Sequence, residues 1–310
     1  MSRRAVLLFV AASLIWGSSF LLIRVAVRGI SPSALVLGRT APGAAVLVPA
    51  AARTGAFGGL RRKLPAIGAL TLLNMCLPIF LTAWAEQHIA SSAAGILIAA
   101  DPLFTALLAL WLIRAEAVTR RQLAGLVLGF AGVVVLLGLD FSAQPAALLG
   151  AAAVLLSAAG YAASALLYRR WLPAAPALGV SALMMVCTSA VFALPAAIGL
   201  PRHPPGEASI AALAILGIVN TGLLSWVYFA LVREAGAAVT SLITYVVPVV
   251  ALVLGASLLG EHLTIGALAG LVLIAVGTWL ATSARHPRRK QRSTAARDEH
   301  RHARYLRSSG

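Results

Sequence analysis

An arginine and an aspartate stand inside long apolar runs of this sequence. Arg39 lies in the run from 33 to 52, and Asp101 lies in the run from 91 to 113. An arginine near the centre of a membrane helix costs roughly 2.5 to 3.5 kcal/mol on insertion scales, so a charge there is expected to face the bundle interior. Both residues are therefore candidates for the recognition of a charged solute or an ion.

Two interpretations of these charges remain open. In the first, Arg39 binds a carboxylate or another anionic group of a solute, and Asp101 carries a coupling proton, because a carboxyl group buried without a partner tends to keep its proton. In the second, the two residues form a structural ion pair. Glu86 is a further candidate for coupling. It is a weaker one, because it stands at the end of a segment, where a solvated acid is ordinary.

Aromatic side chains in the same runs could contact an organic solute. Their flat faces and polar edges suit stacking on a solute or on a cationic amine. Anchoring at the membrane interface or plain helix packing explains any one of them equally well. The aromatic candidates are Trp16, Tyr161, Trp226, Tyr228 and Tyr245.

The segments that must position these residues are apolar over lengths that suit lipid. The chain has 310 residues, of which 60% are hydrophobic and 11% are charged, whereas a soluble domain carries about 25% charged residues. A membrane helix needs about 20 apolar residues, and ten segments approach or meet that length. They are 5–23, 33–52, 66–85, 91–113, 122–138, 147–168, 178–200, 210–232, 237–259 and 264–281.

The sequence also repeats itself. Pro102 followed by an apolar run to Glu116 returns as Pro248 followed by an apolar run to Glu261. Because each copy has five segments, and five is odd, the second copy must enter the membrane in the opposite orientation. The predicted fold is an all-α polytopic membrane protein of ten helices in two inverted five-helix repeats. The predicted units are 1–140, 141–284 and a basic disordered tail at 285–310.

Amides and prolines recur at equivalent positions of the two repeats. Asn74 in the third segment corresponds to Asn220 in the eighth. Such a pair either joins neighbouring helices or flanks a central cavity, and both interpretations remain open. Pro102 and Pro248 each remove one backbone donor and free the carbonyl one turn earlier, which predicts a kink in each segment.

Other repeated features are interpreted as structural. Glu116 and Glu261 follow the fourth and ninth segments, and we expect each to cap the start of the next helix, where a carboxylate is favoured. The stretches 125–129 and 266–270 place small residues four positions apart, which lets another helix approach closely.

The basic residues are unevenly distributed among the connections. They concentrate at 53–63, 114–121 and 169–170, while alternate connections contain few. By the positive-inside rule, we predict a multi-pass protein of the cytoplasmic membrane with both termini in the cytoplasm. The net charge of +16 is explained by these connections and by the tail, which we expect to lie near anionic lipid rather than nucleic acid.

The sequence gives no reason to expect a cofactor or a metal. There is no Gly-x-x-x-x-Gly-Lys-Ser/Thr run to bind a nucleotide phosphate. Cys76 and Cys187 both lie in apolar segments, and the six histidines lack ligand spacing. We therefore predict neither a cofactor nor a bound metal, and we predict that the protein is not an enzyme, because Asp101 alone supplies no paired acid and base.

With these motifs in place, the chain resembles the EamA-like family of the drug/metabolite transporter superfamily. The resemblance implies a secondary transporter, and we favour an exporter of amino acids, related metabolites or drug-like amines that works by alternating access. A lipid-modifying membrane enzyme and a channel or scaffold are the alternatives. The motifs that carry the resemblance are Ile15-Trp16-Gly17-Ser18-Ser19-Phe20, Arg39, Asp101-Pro102 through Glu116, and Pro248 through Glu261 to Thr264.

The predicted solute pathway runs between the two halves near the midplane of the membrane. It combines the charged and aromatic candidates with the paired amides and with a serine of the first segment. The predicted pathway residues are Trp16, Ser19, Arg39, Asn74, Asp101, Tyr161, Asn220, Trp226 and Tyr245.

Overall fold

Helices account for almost all of the described part of the chain. A computed structural model describes residues 2–112, 119–140, 145–199 and 204–282, and these ranges contain no β-strand. Glu116 and the predicted tail at 285–310 lie outside the described residues. The α-helices are Arg3–Ala26, Pro32–Arg53, Leu64–Thr71, Leu77–Ala85, Ser91–Ile98, Asp101–Leu112, Arg120–Asp140, Pro145–Trp171, Ala177–Ile198, Glu207–Gly217, Leu224–Thr240, Ile243–Leu259 and Ile265–Thr282.

The predicted all-α membrane fold is confirmed. Within the described residues, nine helical stretches are long and apolar enough to cross a membrane, and Ile243–Leu259 is a shorter apolar helix. That shorter helix belongs to the ninth segment, which is separated from the eighth at Gly236, where φ is 81°. Glycine tolerates this left-handed conformation without a steric penalty, so the chain changes direction there without a loop.

Segments three and eight are each interrupted by a π-helical turn. The turns are Leu72–Cys76 and Ile218–Leu223, and they occupy equivalent positions of the two repeats. Asn74 lies in the first turn and Asn220 in the second. Because π-turns insert one residue into a helix and are frequent at functional sites, they mark the two amides for closer inspection.

Segment four is broken immediately before Asp101 and Pro102. The helix Ser91–Ile98 ends in a tight turn in which the amide of Ala99 donates to the carbonyl of Ile96 at 3.1 Å. A new helix then starts at Asp101. Pro102 has no amide hydrogen and is favoured in the first turn of a helix, so the predicted irregularity is a break rather than a simple kink.

Segment nine has its break at a slightly different place. Residues 241 and 242 form a turn, and Ile243–Leu259 then continues past Pro248 without interruption. Proline removes one helical hydrogen bond at this position. Both repeats therefore contain a discontinuous segment near the centre of the molecule, which is typical of transporter folds.

The two repeats interlock instead of lying side by side. Segment one packs against segments eight and nine, and segment six packs against segments three and four. We call these groups the first body (segments one, eight and nine) and the second body (segments three, four and six). Segment two pairs with seven, and segment five pairs with ten. Each body therefore combines helices from both repeats.

The outward surface of the bundle is apolar. Large hydrophobic side chains such as Leu7, Ile198 and Ile265 are exposed, the last at 82% of its surface. A contiguous apolar surface of this kind is unfavourable in water, whereas hydrocarbon accommodates it. The structure therefore describes a protein whose lateral surface contacts lipid.

Candidate functional site

A central cavity lies between the two bodies. Its main part has a volume of about 500 Å³, within the range of roughly 300 to 1,000 Å³ that is usual for small-molecule sites. A second part of about 320 Å³ shares Trp16, Arg39 and Tyr161 with the first. Six predicted pathway residues line the main part, and these are Trp16, Ser19, Arg39, Asn74, Asp101 and Tyr161.

Arg39 projects from segment two into this cavity. Its Nε donates a hydrogen bond of 3.3 Å to the hydroxyl of Thr221, which follows Asn220 in the π-turn of segment eight. No ion pair joins Arg39 to Asp101, although the structure describes both residues. The expected alternative of a direct pair between them is therefore absent here, and the positive charge of Arg39 faces the cavity.

Asp101 lies at the start of the second half of segment four and also lines the cavity. One oxygen of its carboxylate accepts a hydrogen bond of 3.2 Å from the hydroxyl of Thr105, one turn later. The first turn of a helix favours a negative charge because the backbone amides there lack helical partners. The break before Asp101 thus both aims this carboxylate at the cavity and stabilises it.

Tyr161 lies between the two charges. It interacts electrostatically with both Arg39 and Asp101. Its position depends on Gly160, where an added Cβ would lie 2.8 Å from the carbonyl oxygen of Leu73. Because glycine lets segment six approach the π-turn of segment three so closely, the neighbouring tyrosine is held over the cavity.

The two predicted amides have different environments. Asn74 lines both parts of the cavity, whereas Asn220 lines only the smaller part. The side-chain amide of Asn220 donates to the carbonyl of Ile15 and to the hydroxyls of Ser19, at 2.9 Å, and Ser18, at 3.2 Å. Asn220 therefore joins segments one and eight inside the first body, while Asn74 is available to a solute.

Trp226 and Tyr245 lie elsewhere than predicted. Trp226 is 64% exposed on the outer surface of the bundle and lines neither part of the cavity. The hydroxyl of Tyr245 lies 3.3 Å from that of Thr282 in segment ten. Their aromatic character alone did not distinguish a lipid-facing or packing role from a pathway role, and helix orientation decides between these roles.

Tyr228, one of the aromatic candidates of the sequence, lines both parts of the cavity and packs edge to face against Trp16, with ring centroids 6.5 Å apart. Other polar residues of the cavity were not singled out in the sequence. Thr240, Ser241 and Thr244 line the cavity at the start of segment nine. Clusters of hydroxyl residues in an otherwise apolar segment are the signal that could have identified them.

The lining of the cavity extends towards both faces of the molecule, with Ile23 and Thr82 near one end. Residues 240 to 244 and Ala165 belong to the half of the bundle that holds Arg53 and Arg169, which we call the arginine-rich face. At the other end, which we call the acidic face, Glu86 and Glu261 follow segments three and nine.

Glu261 links the two bodies at the acidic face. Its carboxylate accepts hydrogen bonds from the amide and hydroxyl of Ser91, at 2.8 and 2.9 Å, and from the amide of Ser92, at 2.9 Å. Burial by itself would raise the pKa of Glu261, but these hydrogen bonds outweigh it and lower the pKa. Glu261 therefore caps a helix, as expected, but caps segment four of the other repeat rather than the next helix in the chain.

Glu86 lies close to this contact and is completely buried. Neither of its carboxylate oxygens has a hydrogen-bond partner, and the guanidinium of Arg24 donates to its backbone carbonyl instead. Burial raises the pKa of Glu86 well above its usual value, and the nearby Glu261 carboxylate raises it further, against the opposing influence of Arg24. This acid does not line the central cavity.

Metal ligands are not clustered in the described part of the chain. No group of three or more His, Cys, Asp or Glu side chains there could hold a metal ion. What the described cavity offers is a cation, an anion, amides, hydroxyls and aromatic faces around a space of small-molecule size.

Comparisons with known proteins find transporters. The sequence profile of the EamA-like transporter family matches residues 3–138 and again residues 148–283. A probable terminal-alkyne amino-acid exporter of Streptantibioticus cattleyicolor is 32% identical, over 95% of this chain and 98% of the relative. An uncharacterized transporter of Archaeoglobus fulgidus is 28% identical, over 87% and 95%.

A solved structure has the same fold. It is a protein crystal structure that superposes with a TM-score of 0.62 at 24% sequence identity, covering 91% of this chain and 98% of the other. At this identity the likeness concerns the fold alone.

Proposed function

The chain belongs to the EamA-like transporter family, and we propose that it is a secondary exporter of small organic metabolites that works by alternating access. The proposed solutes are amino acids, related compounds and amines of similar size. The exporter relative, named for an amino acid, supports the first of these classes.

One observation carries this proposal. The Arg39 guanidinium faces a cavity of about 500 Å³ without an ion pair to Asp101. A charge kept in a membrane bundle is costly, and a solute carboxylate would offset that cost. Aromatic and aliphatic residues around it, such as Trp16, Phe20 and Ile79, provide apolar surface for the rest of the solute.

Orientation and membrane are part of the proposal. The basic connections at 53–63 and 169–170 favour a cytoplasmic arginine-rich face. The lining residues at 240–244 would then lie at the cytoplasmic end of the cavity, where an exported solute enters. We place the protein in the cytoplasmic membrane with both termini inside.

Flux measurements test this function. Purified protein in proteoliposomes is presented with a panel of labelled amino acids and amines, with and without a pH gradient. Saturable movement of at least one solute is expected, since a carrier has a finite number of sites. Movement that does not saturate would indicate a channel, and turnover of added lipid without solute movement would indicate an enzyme.

Asp101 is the proposed coupling residue, and Asp101→Asn tests it. The carboxylate faces the cavity, so both the solute and a proton can reach it in the same conformation. We expect Asp101→Asn to retain solute exchange and to lose the acceleration of flux by a pH gradient. Glu207→Gln, at an exposed acid that begins segment eight, is the control and should retain that acceleration. Unchanged pH dependence in Asp101→Asn would remove Asp101 from coupling.

A further inference from the structure

Two polar contacts at the acidic face cross the boundary between the two bodies, beside the apolar packing of segments one and nine against the helix Ser91–Ile98 of segment four. Glu261 follows segment nine of the first body, and it binds Ser91 and Ser92 of segment four in the second body. Arg24, from segment one of the first body, donates to the carbonyl of Glu86 at the end of segment three in the second. Opening this face requires both polar contacts to break and the packing against Ser91–Ile98 to separate.

The close fit at Glu261 shows that the closure is specific. An added Cβ at Gly255 would lie 2.3 Å from a carboxylate oxygen of Glu261 and 3.2 Å from the hydroxyl of Ser91. The amide of Glu261 also donates to the carbonyl of Gly255 at 3.1 Å. Glycine at this position therefore lets the carboxylate reach the start of segment four.

Among the residues at this closed face, the burial of Glu86 is not explained by the contacts that its side chain makes. Its carboxylate is fully buried without a hydrogen-bond partner, and a buried charge in that condition is strongly unfavourable unless it is neutralised or paired. The charged groups around it are Arg24 of segment one, Arg39 of segment two and Glu261 of the opposite body. His88 and His262 are the titratable side chains next along the two connections, and both are exposed.

We propose that Glu86 is a proton-binding site that regulates the closure of the acidic face, with the protonated acid favouring the closed state. This inference rests on the proposed transport function, because it describes how the two bodies move. A proton removes the repulsion between Glu86 and Glu261, so that Glu261 alone keeps its charge for Ser91 and Ser92. Loss of the proton leaves the buried Glu86 carboxylate charged beside the half-buried carboxylate of Glu261, which favours separation of the bodies.

The site controls closure and does not carry a coupling proton across the membrane. Glu86 does not line the central cavity and has no exposed surface in this conformation. A proton bound there therefore has no path to the arginine-rich face while the acidic face is closed. This separates Glu86 from Asp101, which the cavity reaches.

The direction of the pH effect follows from burial. The pKa of Glu86 is raised in the closed state, and it returns towards the ordinary glutamate value of about 4.3 when opening admits water. Closure therefore takes up a proton. Acid therefore favours the closed state. The closed fraction falls as the pH rises from the ordinary pKa of glutamate, in the open state, through the raised pKa of Glu86 in the closed state. Over this interval the closed-to-open ratio falls by at most about tenfold for each pH unit.

The experiment measures the closure itself in the absence of solute. Spin labels are placed at Ala146→Cys, at the start of segment six, and at Leu263→Cys, after segment nine, in a background without Cys76 and Cys187. Both labelled positions are exposed and lie in opposite bodies. Distance distributions are recorded in lipid nanodiscs from about pH 5 to about pH 9. This range begins just above the ordinary pKa of a glutamate and extends over the raised pKa values of buried carboxyl groups.

In the labelled protein that keeps Glu86, we expect the population with a short distance between the two labels to grow as the pH falls. Glu86→Gln imitates the protonated form and should stay closed across the range, losing at least most of that pH dependence. The exposed acid Glu207, at the same face, is the matched control, and Glu207→Gln should titrate like the parent protein. A second variant, Gly255→Ala, should shift the population towards the long distance at every pH, because it displaces Glu261.

A titration unaltered by Glu86→Gln, or the absence of any titration in the parent, would overturn this inference. Neither result bears on flux in proteoliposomes, which tests the proposed transport separately. Absence of saturable flux with an intact pH-dependent closure would instead overturn the transport function and leave the proton site in place.

Discussion

Replacement of Arg39 by alanine is expected to abolish saturable flux while the protein still folds and inserts. Truncating one partner of a buried, hydrogen-bonded charge pair costs roughly 2 to 5 kcal/mol, and every 1.4 kcal/mol is about tenfold in affinity. If Arg39 binds the solute anion, its loss should reduce flux at a fixed solute concentration by about 30-fold or more. Initial rates in proteoliposomes over a range of solute concentrations measure this effect.

The same substitution should not destabilise the protein. Arg39 makes one hydrogen bond to Thr221 and no ion pair with Asp101, so its removal also removes a charge that is costly to keep in the membrane. We expect the melting temperature of Arg39→Ala in detergent to equal or exceed that of the parent.

A second arginine of the same helix provides the control for Arg39. Arg53 ends segment two and is exposed, so Arg53→Ala should retain both flux and stability. Normal flux in Arg39→Ala would remove this residue from the binding site. Loss of flux together with a large loss of stability would instead indicate a structural role.

The elements of this fold were predictable because lipid imposes a simple requirement. Backbone polar groups must be bonded inside each segment, so apolar length defines a helix almost without regard to its neighbours. The predicted segment 33–52 is found as Pro32–Arg53, and the predicted segment 178–200 is found as Ala177–Ile198. The boundary between segments eight and nine also falls as expected, at the glycine with positive φ, Gly236.

The partners of each helix were not predictable in the same way. Every segment is apolar on most faces, so hydrophobic pattern does not say that segment one packs mainly against eight and nine and less against four. The partners are decided by local shape, such as the glycine at Gly160 that admits the carbonyl of Leu73. The duplication showed that equivalent contacts would exist, but not that they would cross between repeats.

The candidate site was predictable to the extent that its residues are costly in lipid. Arg39 and Asp101 attract attention because a charge in an apolar run needs a reason, and both line the cavity. Trp226 carries no such cost, since an indole is tolerated both at a lipid interface and in a pathway. The π-turns gave no recognisable sequence signal beyond the amides Asn74 and Asn220 that they contain.

Glu86 illustrates why position along the chain is a poor guide to burial. An acid at the end of a membrane segment is ordinarily solvated, yet Glu86 is covered completely. The cover comes from parts of the chain that are distant in sequence, including Arg24 and Glu261. Only the interlocking of the two repeats brings these residues together.

The closest helix contact predicts the largest effect on stability. Segments five and ten approach each other so closely that a Cβ added at Gly277 would lie 2.3 Å from the amide nitrogen of Gly129 and 2.5 Å from its Cα. These are backbone atoms, which cannot move aside as a flexible side chain would. Gly277→Ala must therefore push the two helices apart.

We expect Gly277→Ala to lower stability by roughly 1 to 3 kcal/mol or more, as overpacked cores do, despite the gain of about 1 kcal/mol in helix propensity that alanine brings. Gly68→Ala is the matched control, because Gly68 lies in the helix Leu64–Thr71 with nothing within 4 Å of the added Cβ. It should melt at or slightly above the parent temperature. Melting temperatures of the parent, Gly277→Ala and Gly68→Ala are measured by heating each protein and monitoring the folded fraction by fluorescence-detected size-exclusion chromatography. Equal melting temperatures for the two variants would mean that segments five and ten do not pack through Gly129 and Gly277, because a contact between backbones cannot absorb a methyl group without separating the helices.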